Sequence, residues 1–594
     1  MKISQRIRSA YRPYWTSMFD IIRFQIASTI TISVIVTILR RIADLLIRSA
    51  GRVAISTGDF DFLYKTWQGP LLLIIGVLIL FVYVAVDLNT QIIYASKLLN
   101  GKPDLIQSIK EGFLSIRKFF TIDGLGIVLY ISLIAPIIGF GISISQTSGL
   151  YIPNFISSVI HSNTFYMILY IIFMIGFLLL GIVNIFTIHG ILLSDLRSSI
   201  ADDESRALMR KNWKDFLKQN LIYLLCMIGA NIFVIIAAGI IPGIAAIAIT
   251  HGKANVDIAF IFVSVLATSS IIFINSFDRS FYLIRMTQLY HRYKGEEKPF
   301  TAKTGKRTWI FAFASLIILI GLSGVAAWLF DNRLDQFVHT HRRPGIIAHR
   351  AGGIEAPENT IAGLEKAIEL GAEGAEIDIQ RSKDGYYIIN HDGNFSRLCK
   401  TGARPSDLTL EEIRGLTITD PNFPDDPQPV ATFEEMLDTA KGRILLFVEL
   451  KGDTADIRMV DDAVAMIKER DMVEEAFLIS LKYNLIDYCE NRYPEIKCAY
   501  LTFASFGKTA ELNCDYLGLE EEAASVAVID AIHESGREVL IWTPNSESSQ
   551  KDFLLSDADY IITDYVSQAQ SINKELSERD KTQIIMDEIA FFFK

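Results

Sequence analysis

The sequence predicts two unlike parts in one chain: an N-terminal α-helical transmembrane domain of about seven spans and a C-terminal α/β barrel of the TIM type. Three observations predict this. A hydrophobic fraction of 51% and a mean hydropathy of +0.31 exceed what a soluble chain shows, and the apolar surplus lies in long runs before residue 331. Beyond that point short apolar strands alternate with amphipathic helices, and eight buried strands can be drawn. The chemically active side chains then fall at strand C-terminal ends, where such barrels keep their sites. At 594 residues the chain exceeds one domain. We read 1–335 as the membrane domain, 336–344 as a linker, 345–570 as the barrel and 571–594 as a helical tail.

The basic segment Met1–Arg23 leads into an apolar run without a small-residue cleavage site, so it reads as an uncleaved first span. Spans are expected at Phe24–Ile38, Gly69–Val86, Phe120–Ile144, Phe165–Leu193, Leu221–Ile249, Ile258–Phe277 and Trp309–Phe330, each near the roughly 20 residues that cross a bilayer. Lys and Arg crowd alternate loops, at Lys97–Lys118, Arg197–Lys218 and Arg285–Arg307, which marks them as cytoplasmic. A cytoplasmic N-terminus with seven crossings makes this a multi-pass cell-membrane protein with its barrel extracellular. Arg40, Arg41, Arg48 and Arg52 run against that scheme and are assigned to an amphipathic helix lying in the interface. Asp123, Asp257 and His189 fall at span edges and read as interfacial. Anchoring, delivery of substrate from the lipid phase and translocation are all compatible with these spans.

The formal charge of -10, with no basic surface carrying stacking aromatics, argues against nucleic acid as a partner. Five cysteines without a CxxC pair suggest neither a zinc site nor a disulfide framework. The lipid bilayer is the expected partner, and self-association into a homo-oligomer is compatible with the sequence.

In the barrel region strands are expected at Gly345–Ala348, Gly374–Ile379, Tyr386–Asn390, Arg443–Leu450, Ala476–Leu481, Lys497–Phe503, Tyr516–Leu519, Glu538–Trp542 and Tyr560–Thr563. Helices are expected from Asn359 or Thr360, as N-cap, through Leu370, and at Thr409–Leu416, Thr432–Lys441, Ala455–Arg470, Tyr483–Arg492 and Val526–Ser535. Gly393–Ala431, with five prolines, reads as a long irregular piece over the barrel mouth.

The chemistry concentrates between Ile346 and Asp392. The first strand ends in His349 and Arg350. Alternation in the strand Gly374–Ile379 points Glu376 and Asp378 to one face, and the adjoining strand ends in His391 and Asp392. A lone Glu-x-Asp is more often a solvated face, but its joint occurrence with two histidines at successive strand ends fits metal-assisted phosphodiester chemistry. A hard divalent cation takes carboxylate oxygens, histidines move protons near neutral pH, and the planar fork of Arg350 suits phosphate.

These motifs carry a resemblance. HRAGG followed by PENT, GAEIDIQ, KDG and NHD is similar to the signature of glycerophosphodiester phosphodiesterases, over about Gly345 to Val566, and the helical part resembles the membrane domain found ahead of some bacterial members. The resemblance implies a TIM barrel with a divalent metal, Ca2+ or Mg2+, at its mouth. It implies His349 and His391 as the acid/base pair, Glu376, Asp378 and Glu449 as metal ligands, and Arg350 as a phosphate contact. Glu449 comes from LLFVELKG, which also brings Lys451 beside the phosphate. Trp542, in IWTPN, resembles an element lining the glycerol pocket. Two departures are Ala351 in the first motif and Val566 after Thr563-Asp564-Tyr565. The implied activity is hydrolysis of a glycerophosphodiester to sn-glycerol 3-phosphate and an alcohol, on deacylated phospholipid or a surface glycerol-phosphate polymer. Competing readings are a phospholipase acting on intact lipid and a phosphodiester-binding transporter or sensor.

Overall fold

The computed structural model describes residues 3–56, 61–138, 154–240, 256–297, 306–332, 343–579, 583–584 and 587. Its N-terminal part is built from long apolar helices: α1 (Ile3–Ser49), α2 (Gln68–Tyr83), α3 (Thr90–Leu99), α4 (Thr164–Val183), α5 (Ser198–Val234), α6 (Val256–Tyr293) and α7 (Lys306–Asn332). The stretches Gln68–Leu99, Thr164–Leu193, Ser198–Ala237 and Ile261–Tyr293 are four helices, among the described residues, long and apolar enough to cross a membrane. Ile122–Ile134 and Phe313–Val325 are shorter apolar runs within the third and seventh expected spans. The first expected span lies inside α1. Large apolar side chains such as Phe165, Phe173, Leu225 and Phe233 are exposed on these helices, as lipid-facing positions require.

Helix α1 runs antiparallel to α2 and α3. Its Tyr14, Ile21 and Phe24 pack with Tyr94 and Leu98, its Ile32 and Val36 with Val86, and its Ile47 with Phe62. Between α2 and α3 the helix widens into a π segment, Val84–Asn89, where Asp87 forms an ion pair with Arg279. The basic loops gather at the end of the bundle that holds Tyr14: Lys118 pairs with Asp195 at 2.7 Å and Lys294 with Glu204 at 3.1 Å. Two sequence readings change here. Arg40, Arg41 and Arg48 continue α1 without a break, so they form no separate interfacial helix. His189 is buried in an aromatic cluster against Phe186 and Tyr290, and its Nε2 has a buried polar partner in the Thr287 hydroxyl at 3.2 Å, so it does not sit at the interface.

The barrel strands are β2 (Gly345–Ala348), β3 (Gly374–Arg381), β5 (Leu445–Leu450), β6 (Ala476–Ser480), β7 (Cys498–Thr502), β9 (Tyr516–Glu520), β10 (Glu538–Trp542) and β11 (Tyr560–Thr563), with a short β1 (Ala54–Ser56) earlier in the chain. They pair in parallel and in sequence order, and β11 closes on β2, which also pairs β3. Their runs are apolar on both faces because both faces are covered. Ile347, Phe447, Ile479, Ala499, Leu540 and Ile562 fill the interior, where Phe447 stacks on Phe477 at 4.7 Å. Ile346, Ile377, Val448, Leu478 and Ile541 point outward beneath the helices.

The helices are α8 (Ile361–Glu369), α9 (Phe433–Ala440), α10 (Ile457–Glu469), α11 (Tyr483–Arg492), α12 (Val526–Glu534), α13 (Glu547–Leu554) and α14 (Val566–Glu578). Their starts follow from capping: Thr432 and Glu435 form a reciprocal box on α9, and Asp456 accepts the Met459 N–H on α10. In α10 Met459, Val460, Ala463, Val464 and Ile467 form the buried stripe.

The strand expected at Tyr386–Asn390 is not a barrel stave. As β4 (Tyr387–Ile389) it returns antiparallel against β3, because the tight turn at Gly385 leaves no room for a crossover. Gly393–Ala431 is more ordered than an irregular loop: Ile388, Phe395, Leu398, Ile413, Ile418 and Val430 give it a core of its own. Helix α13 lacks a clear apolar period and was not legible in the sequence. Helix α14 spans position 570 and buries Val566, Ala569 and Ile572 against the barrel. The linker 336–344 falls mostly, and the helical tail beyond residue 579 almost wholly, outside the described residues.

Replacing Phe447, fully buried in the barrel interior, by Ala should lower stability by about 3–5 kcal/mol. The checking measurement is the midpoint of heat-induced barrel unfolding in detergent, which should fall clearly below wild type.

Candidate active site

Strand alternation and register set the centre of the site. Glu376 and Asp378, two apart on β3, face the barrel axis, and parallel pairing puts Asp378 beside Glu449 of β5. Carboxylate oxygens of the three lie within 4.8 Å of one another, all buried at the mouth. Glu376 Oε2 accepts the Arg350 N–H at 2.7 Å, but its Oε1 is buried with no hydrogen-bond partner among the described residues. Lys451 partly balances the cluster, at 2.8 Å from Glu449 and 3.2 Å from Asp378.

These charges perturb one another. Burial, with Asp378 and Glu449 adding repulsion, pushes the Glu376 carboxyl up to about 8. Burial opposes ionisation of Asp378 too, yet Lys451, His391 and Arg350 together hold it below the usual carboxylate range. Burial works against the charge on Lys451, and the surrounding carboxylates outweigh it.

The two histidines come from β2 and from the hairpin of β3 and β4. His349 Nδ1 meets Asp564 Oδ1 at 2.6 Å, and its Nε2 lies 3.9 Å from Glu376. Burial disfavours its imidazolium, but Asp564 more than compensates and raises its value. His391 Nδ1 lies 2.9 Å from Asp392, and here burial prevails and lowers the value. The Gln380 side chain donates to the carbonyls of Asn390 and Asp392 at 2.6 and 2.7 Å, which ties the His391 segment to β3.

The structure therefore brings together His349, His391, Glu376, Asp378, Glu449, Arg350 and Lys451. Arg350 sits in the left-handed region, with φ of 51°, and its guanidinium pairs with Glu358 at 3.2 Å. Arg397 grips the same Glu358 and also Asp392, so an ion-pair chain links the first strand to the His391 turn. Trp542 packs against the interior cluster at the mouth end of β10.

The roles of several site neighbours are not legible in the sequence. Asn359 is not the helix cap: Thr360 is, accepting the Gly363 N–H at 3.0 Å. Asn359, at φ of 56°, instead donates to Asp378 at 2.8 Å and accepts its backbone N–H at 3.2 Å. Asp564, visible only as part of a closing motif, orients His349 and is itself held by Asn545 at 2.6 Å. Glu358 joins the two arginines. A lone Asn, Asp or Glu in a turn carries no periodic signal, so only spatial proximity could reveal these.

Residues 349–568 match the glycerophosphoryl diester phosphodiesterase family, and residues 12–325 match the membrane domain of glycerophosphoryl diester phosphodiesterase, more than half of the chain. The chain belongs to this family. A glycerophosphodiester phosphodiesterase of Bacillus altitudinis is 25% identical over 241 residues, 39% of this chain and 98% of that protein. Human glycerophosphodiester phosphodiesterase 1 is 34% identical over 122 residues, 20% of this chain and 37% of that one. Among solved structures, an Oleispira antarctica phosphodiesterase in complex with the product sn-glycerol-3-phosphate is similar at 25% identity and a TM-score of 0.36, covering 39% of this chain and 97% of that one. One from Parabacteroides distasonis, at 22% and 0.35, covers 40% and 99%.

Asp564→Ala should reduce turnover by about 100-fold while leaving far-ultraviolet circular dichroism unchanged, because His349 loses its orienting carboxylate. Turnover equal to wild type would remove Asp564 from the site.

Proposed function

We propose that the barrel hydrolyses glycerophosphodiesters to sn-glycerol 3-phosphate and an alcohol, with a divalent cation held by Glu376, Asp378 and Glu449 and with His349 and His391 as the proton carriers. As a family member the protein is a phosphodiesterase. The observation that carries the finer reading is the buried triad, with one Glu376 oxygen left without a donor among the described residues: three carboxylates and one ammonium leave a net negative pocket that suits a hard cation. Calcium and magnesium both fit oxygen-only donors. A bound divalent cation supplies neutralising charge to the phosphoryl oxygens.

The chain's own groups do the rest. The attacking oxygen forms a bond to phosphorus while the bond to the alcohol oxygen breaks: water as attacker gives sn-glycerol 3-phosphate directly, whereas the substrate's own glycerol hydroxyl gives a cyclic phosphodiester that a water molecule then opens to the same product. One imidazole takes the attacker's proton and the other protonates the departing oxygen. Asp564 and Asp392 each fix one ring nitrogen and leave the other for transfer. Arg350 and Lys451 flank the carboxylates and can add positive charge near phosphate. Trp542, at the mouth end of β10, lines the glycerol side of the pocket.

We further propose that the barrel lies outside the cell. The basic loops gather at one end of the helical bundle, and the C-terminal end of α1, which contacts the barrel through Arg48 and Glu511, lies at the other. Deacylated phospholipid and surface glycerol-phosphate polymer share the linkage the site would cut, and both are accessible there.

Release of glycerol 3-phosphate from glycerophosphocholine should vanish in EDTA and return with calcium or magnesium; release that persists in excess chelator contradicts the metal. His391→Ala should cost at least about 100-fold in turnover with the fold intact, read in the same assay. Added protease should cleave the barrel in intact cells; full protection would put it inside.

A further inference from the structure

Parallel strands are joined by crossovers whose helices bury the sheet's outer face. Each joint between neighbouring staves of this barrel carries a helix except one. From β7 to β9 the chain runs through residues 503–515, which hold only strand β8 (Ser505–Gly507) and the 3-10 turn Thr509–Glu511. Yet the outer face is covered at that joint: Tyr500, which points outward from β7 against Tyr483, is fully buried.

The cover comes from the membrane domain. Strand β1 pairs antiparallel with β8, Ala54 opposite Gly507 and Ser56 opposite Ser505. The two-residue period of a strand then gives each side chain a different partner. Ala54 is buried in the barrel's outer core, and Ile55 is buried with Ile47 and Phe62 of the helical domain. The Ser56 hydroxyl receives the hydrogen bond of the Tyr500 hydroxyl. The approach is close enough to need a glycine, since a Cβ on Gly507 would lie 2.8 Å from the Val53 carbonyl oxygen at a φ of +102°. Arg48 adds an ion pair with Glu511 at 3.1 Å, and the Arg52 guanidinium lies over the Phe62 ring at 5.2 Å.

We propose that residues 52–56 are the missing wall of the catalytic barrel: the membrane domain completes the barrel's outer layer between β7 and β9 and holds the catalytic domain docked on the helical bundle. Docking fixes the direction of the mouth relative to the bilayer. It also gives Arg48 and Arg52, which run against the charge pattern of the other loops, a place in the interface between the two domains.

The test uses the full chain in detergent with a protease recognition sequence inserted between residues 332 and 343. After cutting, the barrel should stay with the helical domain on size exclusion, at low and at high salt. Ala54→Asp, which drives a carboxylate into the barrel's outer core, should let the cut barrel elute separately. A wild-type barrel that leaves on cutting, or an Ala54→Asp barrel retained like wild type, overturns the proposal. A measurement that does not depend on Ala54→Asp folding normally uses Arg48→Cys with Glu511→Cys and a short bis-maleimide. The cut halves should remain joined on a denaturing gel, and their separation would overturn the docking.

Discussion

Mutual repulsion among Glu376, Asp378 and Glu449 is the constraint around which the catalytic half is arranged. Their oxygens lie within 4.8 Å, where each ionised pair repels by about 3.5 kcal/mol at an effective dielectric of 20. Parallel pairing of β3 with β5 enforces the crowding, and burial removes the water that would relieve it. The surroundings answer with positive charge and donors. Lys451 sits against two of the three carboxylates, the Arg350 N–H caps Glu376, and the Asn359 amide clasps Asp378. These groups still leave Glu376 Oε1 without a donor among the described residues, and that deficit is the strongest structural argument for a cation.

The histidines are set by a second layer of acids at the rim. Asp564 at the end of β11 holds His349, Asp392 just after β4 holds His391, and Glu358 with Arg350 and Arg397 connects the two sides. The left-handed backbone at Arg350, Ala351 and Asn359 folds the first loop back across β3, which lets Asn359 reach Asp378. Such conformations cost free energy in non-glycine residues, so the hydrogen bonds of that loop must compensate.

Most of the barrel was legible because its strands are short, uniformly apolar and bounded by charged ends, as at Ile346–Ile347 and Leu446–Val448. The metal-type triad was legible for the same reason, since alternation places Glu376 and Asp378 on one face. What stayed hidden depends on tertiary placement. Tyr387–Ile389 looks like any other strand, and only the turn before it sends it back antiparallel. Asn359 has the composition of a cap and serves Asp378 instead. Helix α13, written ESSQKDFL, has too few apolar positions to register a period. In the helical domain the hydropathy pattern located the apolar stretches. It gave no hint that α1 runs unbroken past Arg40 and Arg41, or that Ala54–Ser56 pairs with the distant Ser505–Gly507.

Cation binding at the triad is the property on which the proposed chemistry depends most directly. Equilibrium dialysis of the chelator-stripped protein against calcium, and separately magnesium, should give one bound ion per chain, with binding lost in Asp378→Asn and weakened in Glu449→Gln. No bound ion in the wild-type protein, or undiminished binding in Asp378→Asn, would contradict it.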